Sequence, residues 1–212
     1  MKLSLEAARV FGCLIEKSQA TPEYYPMTLN ALVAACNQKT SREPIVDYAS
    51  EEVEAALDEL KEQGLCAFVS GDGRVMKYVH RGGENGLGLS SAQLAALSIM
   101  LLRGPQTLGE IKARCGRQYE FQSLEEVQEV LTELETRAPA LIEQAHRQAG
   151  QKETRYRHLF FEYAEGNTET VKEIASSSLR LEVDTLKQAV SEMQERIERL
   201  EAEVRGIKKD LY

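Results

Sequence analysis

Apolar residues recur at intervals of three and four along most of the chain, as in helices that bury one face. Three such runs open the sequence, headed by Ser4, Thr28 and Ser50, residues suited to capping a helix start. Gly64 closes the third run. The period then shortens. Leu65 to Val69 and Arg74 to Val79 read as two short strands around an Asp72-Gly73 turn. The plan then returns: Ser90, Thr107 and Ser123 head three more periodic runs. Segments 140–145 and 154–161 read as a second hairpin, with a polar tip from His146 to Glu153.

The return is a repeat in sequence as well as in pattern. Leu3-Ser4 with Ala8, Val10, Phe11, Leu14, Ile15 and Lys17 matches Leu89-Ser90 with Leu94, Ala96, Leu97, Met100, Leu101 and Arg103 at one offset. Thr28-Leu29-x-x-Leu32-x-x-x-Cys36 matches Thr107-Leu108-x-x-Ile111-x-x-x-Cys115, and Glu51-Glu52-Val53 matches Glu125-Glu126-Val127. Three helices followed by a two-stranded hairpin is the order of a winged helix-turn-helix. The expectation is a mainly α fold with small β-wings: a first winged-helix domain over 1–82, a Gly-rich linker over 83–88 and a second domain over 89–163.

Beyond Glu165-Gly166-Asn167 the spacing becomes a heptad, predicting a C-terminal coiled-coil helix within 170–212. Val183, Val190, Ile197 and Val204 fall at a, and Leu186, Met193, Leu200 and Ile207 at d, a seam that favours a parallel homodimer. Glu182 with Lys187, Arg196 with Glu201 and Glu203 with Lys208 then pair opposite charges across it. The competing reading is a helix folded back on its own chain.

The chain has 212 residues and a formal net charge of -8, the wrong sign for gripping nucleic acid by bulk electrostatics. The predicted third helices sharpen the conflict: residues 50–64 carry a net -5 and residues 123–137 a net -4. Such faces would be repelled by phosphates flanking a major groove. No apolar run reaches the roughly 18 residues needed to cross a bilayer, and Met1 to Val10 lacks a signal-peptide core, so a cytoplasmic protein without a membrane partner is expected. Cys13, Cys36, Cys66 and Cys115 show no metal-ligand spacing and mostly sit in apolar runs. No nucleophile stands beside a base. The reading is therefore non-enzymatic, with no catalytic residue, metal or cofactor.

Several strings also resemble the YceH family of uncharacterised bacterial tandem winged-helix proteins. They include residues 8–17 (ARVFGCLIEK), Thr21-Pro22-x-x-Tyr25-Pro26-x-Thr28-Leu29-Asn30, Ala35-Cys36-Asn37-Gln38-Lys39 and Arg42-Glu43-Pro44. The likeness continues through Leu101-Leu102-Arg103-Gly104-x-Gln106-Thr107, Tyr119-x-Phe121 and Arg155-Tyr156-x-His158-Leu159-Phe160. It implies two winged-helix domains and a cytoplasmic bacterial protein, and it supplies no activity.

Basic residues gather in two kinds of place. Lys39 and Arg42 lie between the second and third helices of the first copy, and Lys112, Arg114 and Arg117 in the equivalent region of the second. Arg147, Lys152, Arg155 and Arg157 mark the second wing. These nine are the candidate DNA contacts of a regulatory factor that touches phosphates through wings and turns. The alternative is a protein-protein interaction scaffold that does not bind DNA. A continuous basic strip across both wings would favour the first, and an apolar groove beside an acidic face the second.

Overall fold

The computed structural model describes residues 2–70, 75–145 and 153–161. The heptad seam from Val183 to Ile207, the wing residues Arg147 and Lys152 and the Asp72-Gly73 turn lie outside these residues. The chain is mainly helical, with small antiparallel sheets. In order it runs α1 (Leu5–Ala20), β1 (Met27–Thr28), α2 (Leu29–Cys36), α3 (Ser50–Glu62), β2 (Cys66–Ser70) and β3 (Met76–His80). It continues with α4 (Ser91–Arg103), α5 (Leu108–Cys115), α6 (Leu124–Thr136), β4 (Ile142–Gln144) and β5 (Tyr156–His158). The elements are winged-helix-like, and their order recurs.

Helix starts follow capping chemistry. Ser4, Thr28, Ser90, Thr107 and Ser123 each accept a backbone N–H from the first turn of their helix. Ser50 corrects the sequence reading: it is the first residue of α3, and Ala49 precedes it as the cap. The α3 start is held instead by the Glu52 carboxylate, which accepts the Ala49 N–H at 2.7 Å. At the other end Gly64 adopts φ +71°, with Leu65 N–H donating to Leu60 O and Gly64 N–H to Lys61 O. This paired closure needs the left-handed conformation that glycine adopts without strain.

Each half has a small sheet. In the first the order is β1-β3-β2, with Met27 opposite Tyr78 and Cys66 opposite His80. In the second, β4 pairs with β5, placing Ile142 opposite His158, and Gln106 bridges to Tyr156 as Met27 does to Tyr78. A further repeated string emerges, Tyr78-x-His80 and Tyr156-x-His158. Each histidine accepts a backbone N–H at Nδ1 from the residue two positions on, Gly82 at 3.1 Å and Phe160 at 3.2 Å.

The repeat boundary is not a packing boundary. One core runs through both halves, from Phe11, Leu14, Cys36 and Leu60 to Leu97, Met100, Cys115 and Leu131. Helices α1 and α4 pack so closely that a Cβ on Gly12 would lie 3.0 Å from the Leu101 Cβ and the Leu102 side chain. Leu3 N–H donates to Phe160 O, and Glu43 N–H donates to Leu102 O. The glycine-rich segment between the halves is itself folded, with Leu87 N–H on Arg81 O and Leu89 N–H on Gly82 O.

Candidate functional site

The basic residues divide by what they touch. Arg42 is buried: Nη1 and Nη2 reach the two Glu16 carboxylate oxygens at 3.2 and 2.6 Å, and Nε donates to Ala35 O at 3.0 Å. Its guanidinium is held inside the protein, with its donors turned to Glu16, Ala35 O and Ser41 O. On the second wing, Arg155 Nη1 donates to Glu110 at 2.7 Å and to Pro105 O at 2.9 Å, tying the strand to the start of α5. Burial pushes the Glu110 carboxyl up, but the Thr107 N–H and Arg155 outweigh it and hold that carboxyl below its usual range. Arg157 is paired with Glu143 at 2.6 Å. Lys112 Nζ donates to Gln122 O at 2.7 Å and so fastens the turn between α5 and α6.

Lys39, Arg114 and Arg117 converge. They line a cleft of about 660 Å³ together with Lys17, Arg103, Ser41 and the neutral donors Gln38 and Gln118. Glu16, committed to Arg42 and 3.5 Å from Lys17, is the one acidic residue in its lining among the described residues. Lys17 and Arg103 escaped the sequence reading as site residues, although the signal was present: they occupy the same position in the two repeats. Burial lowers the Arg103 pKa, and the neighbouring Arg114 and Arg42 cations lower it further.

A second surface lies on the first wing. Alternation along a strand sends Cys66 and Phe68, and across the ladder Met76, Tyr78 and His80, to one face. At the root this face is covered, but at the tip Phe68 is 52% and Met76 53% exposed, with Val75 at 61%. Helix α3 stands beside it with Glu51, Glu54, Asp58 and Glu62 exposed. Burial raises the Tyr78 pKa, and the charges of Glu54 and Asp58 add to the rise. Strand β2 pairs with β3 on one side, and its other edge has no strand partner among the described residues.

All four cysteines are reduced and buried, with the repeat partners Cys36 and Cys115 at 0% exposure. Among the described residues no three His, Cys, Asp or Glu side chains gather to hold a metal, and no helix is long and apolar enough to cross a membrane.

Residues 3–151 match a family model described as a protein of unknown function, DUF480. A UPF0502 protein of Shewanella amazonensis is 42% identical over 207 residues, covering 95% of each chain. One from Geotalea uraniireducens is 44% identical over 206 residues, covering 97% of this chain and 90% of that protein. Another, from Koribacter versatilis, is 47% identical over 156 residues, covering 74% and 72%. The sequence, the recurring elements and these relatives agree: the chain belongs to the bacterial DUF480 (UPF0502) family, to which the name YceH also attaches.

Proposed function

We propose that the chain is a non-enzymatic cytoplasmic adaptor of tandem winged-helix design, dimerised through its C-terminal heptads, that binds another protein at the first wing. The observation that carries this reading is the apolar tip of Phe68, Val75 and Met76 beside the acidic outer face of α3. Two features define the occupant. The unpaired edge of β2 takes an added strand, and the α3 carboxylates take cations, so the partner presents an extended apolar segment carrying Lys or Arg. The DNA reading loses support at the same time, because Arg42, Arg155 and Arg157 already hold carboxylates.

A photoreactive residue at position 68 of the full-length protein tests this in cells. The captured protein is identified, purified and titrated against the chain. A partner with a basic, apolar strand that binds in solution and weakens at least about ten-fold with Val75→Asp supports the reading. Capture of a second copy of this chain, or no loss with Val75→Asp, overturns it. So does salt-dependent binding to duplex DNA that Val75→Asp abolishes.

A further inference from the structure

We propose that the cleft between the two repeats binds a small, multiply phosphorylated molecule. The cleft draws on equivalent positions of both copies. Lys17 near the end of α1 corresponds to Arg103 at the end of α4, and both line it. Gln38 and Lys39 after α2 correspond, at the repeat's second offset, to Arg117 and Gln118 after α5, and all four line it. Packing α1 on α4 therefore brings the basic ends of both repeats to one place. Five cations converge there in a protein whose net charge is -8.

Helix polarity explains part of this concentration. Lys17, Arg103 and Arg114 stand in the last turns of their helices, where carbonyl groups carry about half a negative charge per helix. Arg114 is further occupied by Gln106 and by Glu110 at 3.5 Å. Lys39 and Arg117 need another account. They lie beyond the helix ends, and neither forms an ion pair among the described residues.

Two local features point to a ligand. The Arg103 Nε is buried and has no hydrogen-bond partner, an expensive state for a charged donor. Ser41, on the rim, holds φ 62°, the left-handed region that non-glycine residues seldom occupy. Anionic oxygens in the cleft would satisfy the donor and relieve the mutual repulsion of Arg103 and Arg114. Ile99 adds an apolar contact, and the volume falls within the range of about 300–1,000 Å³ typical of small-molecule sites. Phosphoryl groups fit this set better than a lone carboxylate, because cations approach from several elements at once. The backbone of duplex DNA offers the same chemistry, but as a line of phosphates along a convex rod.

Calorimetry on the full-length protein at low ionic strength decides the matter, with inorganic pyrophosphate and ATP as probes. The result expected is saturable binding at one site per chain, with a dissociation constant below about 1 mM. Lys39→Gln with Arg117→Gln, both at exposed positions, should weaken it at least about ten-fold while leaving the thermal transition of the unliganded protein in place. Val75→Asp should leave it unchanged, which separates this site from the first wing. No saturable binding of either probe overturns the proposal, as does binding indifferent to the double substitution. A duplex DNA that displaces pyrophosphate and binds more tightly than either probe also overturns it, assigning the cleft to a nucleic-acid backbone.

Discussion

Single side chains carry more of this fold than their charge signs announce. From sequence, Arg42 reads as a surface cation in a turn. In the structure its side chain is wholly covered and Glu16 is 14% exposed, so Arg42 depends on Glu16 to replace its lost water, while Glu16 has Arg42 at 2.6 Å and Lys17 at 3.5 Å. Removing Arg42 leaves Glu16 with only the longer, partly exposed Lys17 contact. Arg42→Ala is expected to lose about 3 kcal/mol, read as a lower urea midpoint with an unchanged slope. A loss below about 1 kcal/mol would show instead that the pair is effectively solvated. The histidines make a second case. Burial lowers the pKa of His80 to about 4 and of His158 to about 3, with Arg157 and Lys2 adding to the latter. The unfolded chain takes up protons near pH 6.5, where the folded chain does not, so the unfolded state binds more protons and stability falls with falling pH. The loss begins near pH 6.5 and continues until the folded-state values are passed, approaching about 1.4 kcal/mol per pH unit for each histidine. His158→Gln should remove roughly one such increment from unfolding free energies measured between pH 6 and 4. An unaltered slope would place the acid sensitivity elsewhere.

At the level of elements, helices were far more legible than the surfaces between them. The apolar period locates all six helices of the described residues, and side-chain oxygens mark five of their six starts. Only the α3 start misleads, because Ser50 and Glu52 both resemble capping residues and the Glu52 carboxylate alone does the work. The hairpin strands shift by one to three residues, and β1 is invisible in the sequence, since a two-residue strand leaves no period to read. The cleft is half visible in the sequence: Lys39, Arg114 and Arg117 stand out as cations, but their convergence depends on packing between repeats. Long-range pairings such as Arg155 with Glu110 were invisible for the same reason. That pair makes a prediction about the second wing. Arg155→Ala should cost about 1.5 kcal/mol through loss of its charged hydrogen bonds and loosen β5 from α5, measured as faster amide exchange at Tyr156 and Gln106. If exchange there is unchanged, the ion pair does not hold the wing.

For the whole molecule, the heptads set the expected assembly. A parallel two-stranded coil over residues 179–211 would be about 50 Å long at 1.5 Å of rise per residue. Under the proposed dimer, Ile197→Lys with Leu200→Lys would bury cations in the seam, and sedimentation should show dimer becoming monomer while the helical signal of residues 2–161 persists. A monomeric parent protein at tens of micromolar would favour a helix lying on its own chain. Between the repeats, α1 meets its own counterpart α4, and Gly12 is what lets the two come within touching distance. An interface in which an element contacts its equivalent is how a two-fold homodimer is built. The arrangement is therefore what gene duplication and fusion of an ancestral dimer would leave behind, the tether making permanent an association that once depended on concentration. Residues 1–82 expressed alone would bare the face of α1 and re-form that ancestor, a symmetric pair with two copies of Gly12 at its centre.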